Sequence, residues 1–274
     1  MAEPGMAGGV AAGDRGVEQT FGRAAAVLDA LADAREGGLR FTDLVGATGF
    51  SKATVHRLMA GLSAHGLVEA DPGSGRYFLG FRLAAWGAAA RDRHGLAERA
   101  APALRRLAEQ TGDTVYLSLR IGVLSLCVAR HEGSFPIRAL PLKPGDRNAL
   151  GVGSGSLAML AFLEPEAAIE RVLADPENIA ARERRGIDEA HVRRHVAATR
   201  RKGHTFVDDL TPGMIGMGLP VPGRGGQPVA AVSIATISAR LRQPRRKAVL
   251  EHLAQAVREI RGILGEAPGL EFAR

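Results

Sequence analysis

The N-terminal third of the chain shows three stretches of helical periodicity, followed by a pattern typical of a hairpin. In the first stretch one helical face is apolar, with Ala24, Val27, Leu28 and Leu31. The second stretch covers residues 42–48, and the third runs over 51–65 after a Gly49-Phe50 turn, with Ser51 at the position of an N-cap. Two short strand-like pieces then flank the turn sequence Asp71-Pro72-Gly73-Ser74-Gly75. Three helices and a hairpin in this order predict a winged helix-turn-helix.

Beyond this unit the pattern mixes helices with alternating strands. Residues 83–100 favour a linker helix, and the segment from residue 101 to Gly112 favours another helix. Strands are predicted near residues 115–119, 124–128, 137–142, 205–208, 215–221 and 229–236. Further helices are predicted over residues 156–163, over 188–202 and along the apolar stripe from Val249 to Leu264. Strands that are joined by hairpins and mixed with helices predict an α+β domain with an antiparallel sheet.

These elements predict two folded units joined by a helix. The organisation is a disordered tail over residues 1–16, a winged helix-turn-helix over 17–82, a linker helix over 83–100, an α+β domain over 101–265 and a C-terminal tail over 266–274. The first tail is assigned because it is rich in Gly and Ala and shows no apolar periodicity.

Composition and charge narrow the class of protein. Of the 274 residues 46% are hydrophobic, but no apolar run approaches the ~18 residues that a membrane helix needs. The N-terminus lacks the order of basic and apolar residues of a leader peptide, and the lone Cys127 cannot form an internal disulfide. The formal charge is +7, yet residues 17–82 hold seven basic and seven acidic side chains. We therefore expect a cytoplasmic protein without a membrane partner, and DNA binding must be argued from local placement.

The third predicted helix has the features of a DNA recognition helix. Its inward positions are all apolar: Val55, Leu58, Met59 and Leu62. The other early positions contain no acidic residue, so small side chains permit close approach and Arg57 can bind guanine with two hydrogen bonds. A solvated helix face shows the same pattern, and only the neighbouring turn and wing make it specific. The predicted contacts to operator DNA are Ser51, Lys52, Ala53, Thr54, His56 and Arg57, together with Arg76 at the base of the wing. For Arg76 a surface charge without a DNA contact is an equal alternative.

Several stretches of the chain resemble a known family. Residues 41–62 (FTDLVGATGFSKATVHRLMAGL), 66–69 (GLVE) and 77–83 (YFLGFRL) resemble the DNA-binding region of the IclR family of bacterial regulators. Residues 203–240, with Gly213 and with PVAAVSI at 228–234, resemble the end of that family's effector domain. The resemblance implies a GAF-like sensor fold in the second unit, a dimer or tetramer, and control by a small organic molecule.

The same resemblance implies an effector pocket in the second unit, lined by the Gly-rich turn at residues 151–155 and the helix after it, whereas the residues alone are equally consistent with a plain tight turn. Gly216 stands where the family has a Cys, Ser233 keeps one of two strand hydroxyls, and Ala235 replaces the other. Asp208 and Asp209 lie near the family's acidic pocket position. A pocket with fewer polar groups favours a larger or more apolar effector. The predicted effector contacts are Gly151, Gly153, Ser154, Asp208, Gly216 and Ser233.

The sequence supports an enzymatic or metal-binding function less than it supports DNA binding. The Gly-rich turn lacks the Gly-Lys-Ser/Thr of a phosphate-binding loop and the downstream acid of a dinucleotide fingerprint. His191 and His195 have a metal-ligand spacing, but no third ligand is evident, and a solvated helix face is the simpler interpretation. Nothing in the sequence predicts a lowered pKa for the thiol of Cys127. Because no nucleophile, base and orienting group stand together, we expect no enzyme, no metal and no cofactor.

We therefore interpret the chain as a sequence-specific transcriptional regulator that is controlled by a small organic effector. Its expected partners are double-stranded operator DNA, the effector and further copies of the chain, in a dimer or tetramer. The alternative is a constitutive DNA-binding regulator whose second domain serves only oligomerisation. The polar groups missing at Gly216 and Ala235 keep that alternative open.

Overall fold

The computed structural model describes residues 12–266 and divides the chain into two compact units. The first unit extends to Arg93, and the second begins at His94. The predicted N-terminal tail over residues 1–16 lies mostly outside the described residues, but helix α1, Ala12–Ala34, already includes its last positions. All of the predicted C-terminal tail after its first residue also lies outside them.

The first unit has the helices and the hairpin that the periodicity predicts. Its further elements are α2 Phe41–Thr48, α3 Lys52–Ala64, β1 Val68–Asp71, β2 Arg76–Leu79 and α4 Phe81–His94. The two strands pair antiparallel, from Val68 opposite Leu79 to Asp71 opposite Arg76. Apolar side chains from α1, α2, α3 and β1 form the core. The predicted winged helix-turn-helix is confirmed.

A main-chain crossing fixes the hairpin against the end of α3. A Cβ at Gly80 would lie 2.2 Å from the carbonyl oxygen of Gly66, so only glycine lets the two turns approach this closely. The amide of Gly80 donates a hydrogen bond to the Leu67 carbonyl at 2.9 Å. The guanidinium of Arg82 adds a hydrogen bond to the His65 carbonyl at 2.9 Å, so main-chain and side-chain contacts together hold the hairpin against the end of α3.

The segment predicted as one linker helix consists of parts of two helices. Helix α4 ends at His94, and α5, Leu96–Thr111, begins after Gly95. Gly95 has a φ of 47°, in the left-handed region that favours glycine and interrupts a helix. The boundary between helices therefore lies at Gly95 rather than at residue 101, which falls inside α5.

The second unit is built on a six-stranded antiparallel sheet in the order β5-β4-β3-β8-β7-β6. Its strands are β3 Thr114–Ile121, β4 Leu124–His131, β5 Arg147–Ala149, β6 Thr205–Val207, β7 Met214–Pro222 and β8 Pro228–Ile237. Its further helices are α6 Ser154–Ala161, α7 Glu166–Ala174, α8 Pro176–Glu183, α9 Glu189–Lys202 and α10 Arg245–Glu266. The predicted α+β class with an antiparallel sheet is confirmed.

The two faces of this sheet carry different side chains because strand residues alternate between them. On one face Leu117, Met217 and Val232 pack with α5 and α10 in a large apolar core. On the other face Ser118 and Ser233 lie beside the first turn of α6. A second apolar core, made from α6, α7 and α9, continues from there. The sheet therefore has a mainly apolar side and a side with polar groups next to α6.

Three local predictions differ from the structure. Residues 137–142 form no strand, and the short strand in this region is β5. The helix predicted over 156–163 begins earlier, at Ser154, and ends at Ala161. Helices α7 and α8 were not predicted. Among the described residues no helix combines the length and the apolar character that crossing a membrane requires.

Candidate functional sites: the face of α3 and a cavity beside α6

The outer face of α3 is basic and lined with small residues. The side chains of Lys52, His56 and Arg57 are exposed, and Ala53 between them is exposed as well. The opposite face is buried, with Val55, Met59 and Leu62 in the core. No acidic residue occurs in α3, so the exposed face offers cations and close access but no like charge to a phosphate backbone.

The N-terminus of α3 is capped as the sequence predicts. Ser51 Oγ accepts a hydrogen bond from the Thr54 amide at 3.2 Å, and the two hydroxyls lie 2.9 Å apart. The amides of Lys52 and Ala53 have no acceptor within a helix because they belong to its first turn. These free donors, at the positive end of the helix dipole, suit a phosphate group. Ser51 and Thr54 therefore organise the helix end, and Lys52 and Ala53 present its donors.

Arg76 has a structural task in addition to the DNA contact predicted for it. Its guanidinium donates hydrogen bonds to the carbonyl oxygens of Gly37 at 3.0 Å and Gly38 at 3.1 Å. It thereby ties the base of the wing to the turn before α2. In the wing tip, Asp71 accepts hydrogen bonds from Gly73 and Ser74, which lower the pKa of its carboxyl. Residues 72–75 carry no cation, so the tip offers DNA only its main chain and small side chains.

Arg40 is a further exposed cation in the first unit, and the sequence analysis did not identify it. Arg40 is the N-cap residue of α2, and its amide donates to the Asp43 carboxylate at 3.0 Å. The adjacent Phe41 meets the ring of His56 edge-on, with the ring centroids 6.4 Å apart. Arg40 is therefore exposed one residue before a side chain that contacts α3. The sequence signal that could have identified Arg40 is its position, as a basic residue directly before helix α2.

The second unit contains a cavity between the polar side of the sheet and the first turn of α6. Its empty space, counted out to the open mouth, is about 900 Å³. The walls come from strands β3, β7 and β8, the turn before α6, and the segments around residues 141–148, 185–187 and 207–214. This space includes open solvent at the mouth, so the enclosed part that could hold a small molecule is smaller.

The structure brings four of the six predicted effector contacts onto one cavity wall: Gly153, Ser154, Gly216 and Ser233. Gly151 lies outside it. At a φ of 102° a Cβ there would lie 2.6 Å from Val192 Cγ1, so this glycine is needed for packing against α9. Asp208 is exposed and follows the lining residue Val207 without lining the cavity itself. The assignments of Gly151 and Asp208 to the wall are therefore corrected.

Glycines on β7 allow the start of α6 to rest on the sheet. A Cβ at Gly216 would lie 2.7 Å from Ser154 Oγ, and a Cβ at Gly218 would lie 2.8 Å from the Ser154 carbonyl oxygen. The Thr205 hydroxyl donates to that same carbonyl at 3.0 Å. A side chain at Gly216 would therefore require Ser154 to move, in addition to changing the polarity of the pocket as the sequence indicates.

The polar groups of the cavity wall are hydroxyls, amides and one cation. Hydroxyls come from Ser118, Ser125, Ser154, Thr211 and Ser233, among others. The guanidinium of Arg185, an exposed residue, donates to Asn148 Oδ1 at 3.1 Å. No carboxylate occurs among the described residues that line the wall. The first turn of α6 adds amides at the positive end of its dipole, so the cavity is electropositive.

Tyr116 and Ala235 make part of the wall apolar. The Tyr116 hydroxyl donates to the Ala139 carbonyl oxygen at 3.0 Å, and burial raises the pKa of this phenol. Its ring packs in a cluster with Cys127, Ala139 and Ala235. Cys127 is buried, and burial raises the pKa of its thiol to about 12. This thiol therefore stays protonated and is unsuited to nucleophilic or redox chemistry.

The histidine pair on α9 has a third ligating group close by, which the sequence did not reveal. Asp209 Oδ2 lies 3.0 Å from His195 Nε2 and 3.8 Å from His191 Nδ1. Both imidazoles are half-buried, and burial holds the pKa of His191 below its usual value. The interpretation of these histidines as part of a plain solvated helix face is therefore incomplete.

Comparison with known families matches both units of the chain. The model of the IclR helix-turn-helix domain matches residues 21–72, and the model of the bacterial transcriptional regulator IclR C-terminal region matches residues 88–261. The HTH-type transcriptional regulator BhcR of Paracoccus denitrificans is 31% identical over 257 residues, which are 93% of this chain and 91% of that protein.

Solved structures agree with this match at the level of the fold. An IclR family transcriptional regulator from Brucella abortus superposes with a TM-score of 0.74 at 22% identity, over 95% of this chain and 99% of that one. An IclR homolog from Microbacterium hydrocarbonoxydans, solved in complex with 4-hydroxybenzoate, has a TM-score of 0.64 at 21% identity. That similarity covers 89% of this chain and 98% of the homolog.

Proposed function

The chain belongs to the IclR family of transcriptional regulators, and from this premise we propose that α3 reads operator DNA while the cavity beside α6 binds a small organic anion that controls this binding. The protein is a DNA-binding regulator rather than an enzyme. The proposal assigns base contacts to α3 and effector contacts to the second unit, in the cytoplasm where the bacterial chromosome lies.

The assignment of α3 to base reading rests on its exposed face. The residues exposed at its start are those that a recognition helix directs at base edges in the major groove. We assign Arg57 to a base, and Lys52 and the free amides of the first turn to phosphates. We also assign Arg40 to a phosphate, because it is exposed and directly precedes Phe41, whose ring contacts His56 of α3.

The first unit supports a dimer. Three aromatic side chains on α1 and α4 are largely exposed: Phe21 at 71%, Phe81 at 80% and Trp86 at 52%. Several large apolar side chains exposed on one small unit suggest an association surface, and a second copy of the chain is the occupant that a two-fold operator requires. We therefore propose a dimer, or a tetramer built from such dimers, on an inverted repeat.

The single observation that carries the effector proposal is the electropositive cavity. Its wall has one guanidinium and the amides of a helix start, and no carboxylate among the described residues. A carboxylate placed there would gain charge-assisted hydrogen bonds from Arg185 and the α6 amides. The apolar wall near Tyr116 and Leu142 suits a hydrocarbon or aromatic body. The homolog with 4-hydroxybenzoate is a precedent for this ligand class within the fold.

Thermal melting of the full chain tests this effector class. The panel contains aromatic and aliphatic carboxylates, each paired with its primary amide as a neutral match. A carboxylate at 100 times its Kd should stabilise the protein by about 2.7 kcal/mol, whereas its amide should need a much higher concentration. Arg185→Gln should weaken carboxylate binding about tenfold, the loss of about one charge-assisted contact. Arg184→Gln, which changes the neighbouring arginine outside the wall, should bind as wild type does.

Two results would contradict the effector proposal. Equal stabilisation by a carboxylate and its amide would show that the cavity does not select for charge. If no member of the panel raises the melting temperature while the protein binds its operator tightly, the constitutive regulator becomes the better account. That second candidate is favoured by the apolar Ala235, at a position where the family has a hydroxyl.

A further inference from the structure

His191, His195 and Asp209 bring three potential metal-ligating atoms together in the second unit. All three atoms lie within 4.8 Å of one another. The histidines occupy positions i and i+4 of α9, and Asp209 lies in the loop between β6 and β7. We propose that this triad binds a divalent transition metal, with Zn²⁺ as the best match, and that the metal fixes the loop over residues 208–213 against α9.

The geometry of the triad suits tetrahedral coordination. Ligand bonds of about 2.0–2.1 Å place neighbouring ligand atoms of a tetrahedral site about 3.4 Å apart. The two measured distances to Asp209 Oδ2, 3.0 Å from His195 and 3.8 Å from His191, bracket this value. The imidazole rings lie 4.5 Å apart between centroids, on the same side of the helix. Small side-chain rotations are therefore enough to form the site.

The ligand types also favour Zn²⁺ over harder cations. Two imidazoles and one carboxylate are a set that zinc accepts, with a fourth position left for water or another ligand. Imidazole disfavours Mg²⁺ and Ca²⁺, which prefer oxygen ligands. Both histidine side chains are about 15% exposed, so an ion at the site is shielded from bulk water but can enter from the surface.

Arginines next to the histidines on α9 would repel a metal cation, but the structure shows that their charges are compensated or screened. The guanidinium of Arg193 makes two hydrogen bonds of 2.7 Å to the Glu170 carboxylate and another of 2.8 Å to Glu189. Its charge is thus compensated by two carboxylates. Arg194 is exposed, where solvent and salt screen its charge. The acidic N-cap Asp188 lies at the start of the same helix and adds a favourable charge.

The loop that a metal would fix forms part of the cavity wall. Leu210 and Thr211, the two residues after Asp209, both line the cavity. Helix α9 is anchored in the core through Val192 and Val196. A metal that joins Asp209 to α9 would therefore hold Leu210 and Thr211 in one position. The proposed metal site does not depend on the proposed function. The effect of the metal on effector binding does depend on the proposed function.

Zinc titration of the full-length, untagged protein after removal of metals tests the site. Competition with a chromophoric chelator should show one tight Zn²⁺ per chain. His195→Ala and Asp209→Asn should each weaken this binding by tenfold or more. His204→Ala is the matched control, because His204 lies in the same unit outside the triad, with its ring nitrogen 3.0 Å from the Lys202 carbonyl oxygen. Absence of tight Zn²⁺ binding, or equal binding by the double variant His191→Ala, His195→Ala, would overturn the proposed site.

Hydrogen exchange tests the effect of the metal on the cavity wall. Zn²⁺ should slow amide exchange in peptides covering residues 205–217 of the wild-type protein, and should leave the same peptides unchanged in His195→Ala. If Zn²⁺ binds through the triad without protecting these peptides, the link to the wall is wrong. The melting temperature of the metal-free protein, measured with and without carboxylates, tests the proposed function separately. The groups proposed to bind the anion lie outside the triad.

Discussion

At the residue scale, Arg57 carries the most specific part of the account. Its side chain is exposed on the second turn of α3, and it makes no hydrogen bond or ion pair with the described residues. Lys52, on the first turn, is exposed as well. A free guanidinium on the outer face of a recognition helix can donate two parallel hydrogen bonds to guanine, whereas a lysine ammonium near the helix start acts as a point charge for phosphate.

We predict that Arg57→Ala weakens operator binding by ~1–3 kcal/mol, or about 5- to 150-fold, because a base contact is lost. Binding to unrelated DNA should change far less. Lys52→Ala should weaken binding to both DNAs by a similar factor and lower the salt dependence. Fluorescence anisotropy with operator and scrambled duplexes at fixed salt measures both effects. Equal losses for Arg57→Ala on the two duplexes would reduce Arg57 to a phosphate contact, and no loss would place it outside the interface.

At the element scale, regular periodicity was a good guide and short or irregular segments were not. Helices α3, α9 and α10 and strands β7 and β8 lie close to their predicted bounds, because their apolar positions repeat over many residues. Residues 137–142 were misassigned because Ala139 is buried by Tyr116 from a distant strand, not by strand pairing.

Contacts between distant segments account for further features that the sequence did not reveal. Arg76 bonds to Gly37 and Gly38, almost forty positions away, and Asp209 reaches His195 across strand β6. A local pattern cannot reveal such pairs. The effector contacts, in contrast, were predicted from the family resemblance, and four of the six predicted residues line the cavity. Their role in binding an effector remains a prediction.

The exposed aromatics of α1 and α4 lead to a prediction about assembly. Phe81→Glu should raise the dimer dissociation constant by roughly 30-fold or more, because a buried aromatic anchor contributes about 2 kcal/mol or more to an interface. Ile121→Glu is the matched control, since Ile121 is exposed at 44% at the end of β3 in the other unit. Light scattering over a concentration series reports the mass. A monomeric wild-type protein, or a Phe81→Glu protein that dimerises as wild type does, would contradict the dimer proposal.

At the scale of the whole molecule, control of DNA binding by an effector requires that the two units be coupled. The chain passes from one to the other through α4, Gly95 and α5. An effector can change DNA binding only if it binds more tightly to one state of the protein than to another. Blocking the cavity should therefore abolish the response to effector and leave the face of α3 intact.

Ala235 is the most suitable position for blocking the cavity. A Cβ at Gly153 would meet nothing within 4 Å, but the φ of 86° there strains any other residue. Ala235 already has a Cβ, is nearly buried on β8, and lines the cavity. A leucine at this position would extend into the cavity space. Ala235→Ser, which adds only a hydroxyl, is the control of similar size.

The affinity for operator DNA, measured with and without the carboxylate that most stabilises the wild-type protein, tests the central claim most directly. In the wild type and in Ala235→Ser the carboxylate should change the operator Kd by about 5- to 150-fold, the usual range of coupling between sites. Ala235→Leu should bind the operator like ligand-free wild type and should not respond to the carboxylate. If Ala235→Leu folds and responds as the wild type does, the controlling site is not this cavity.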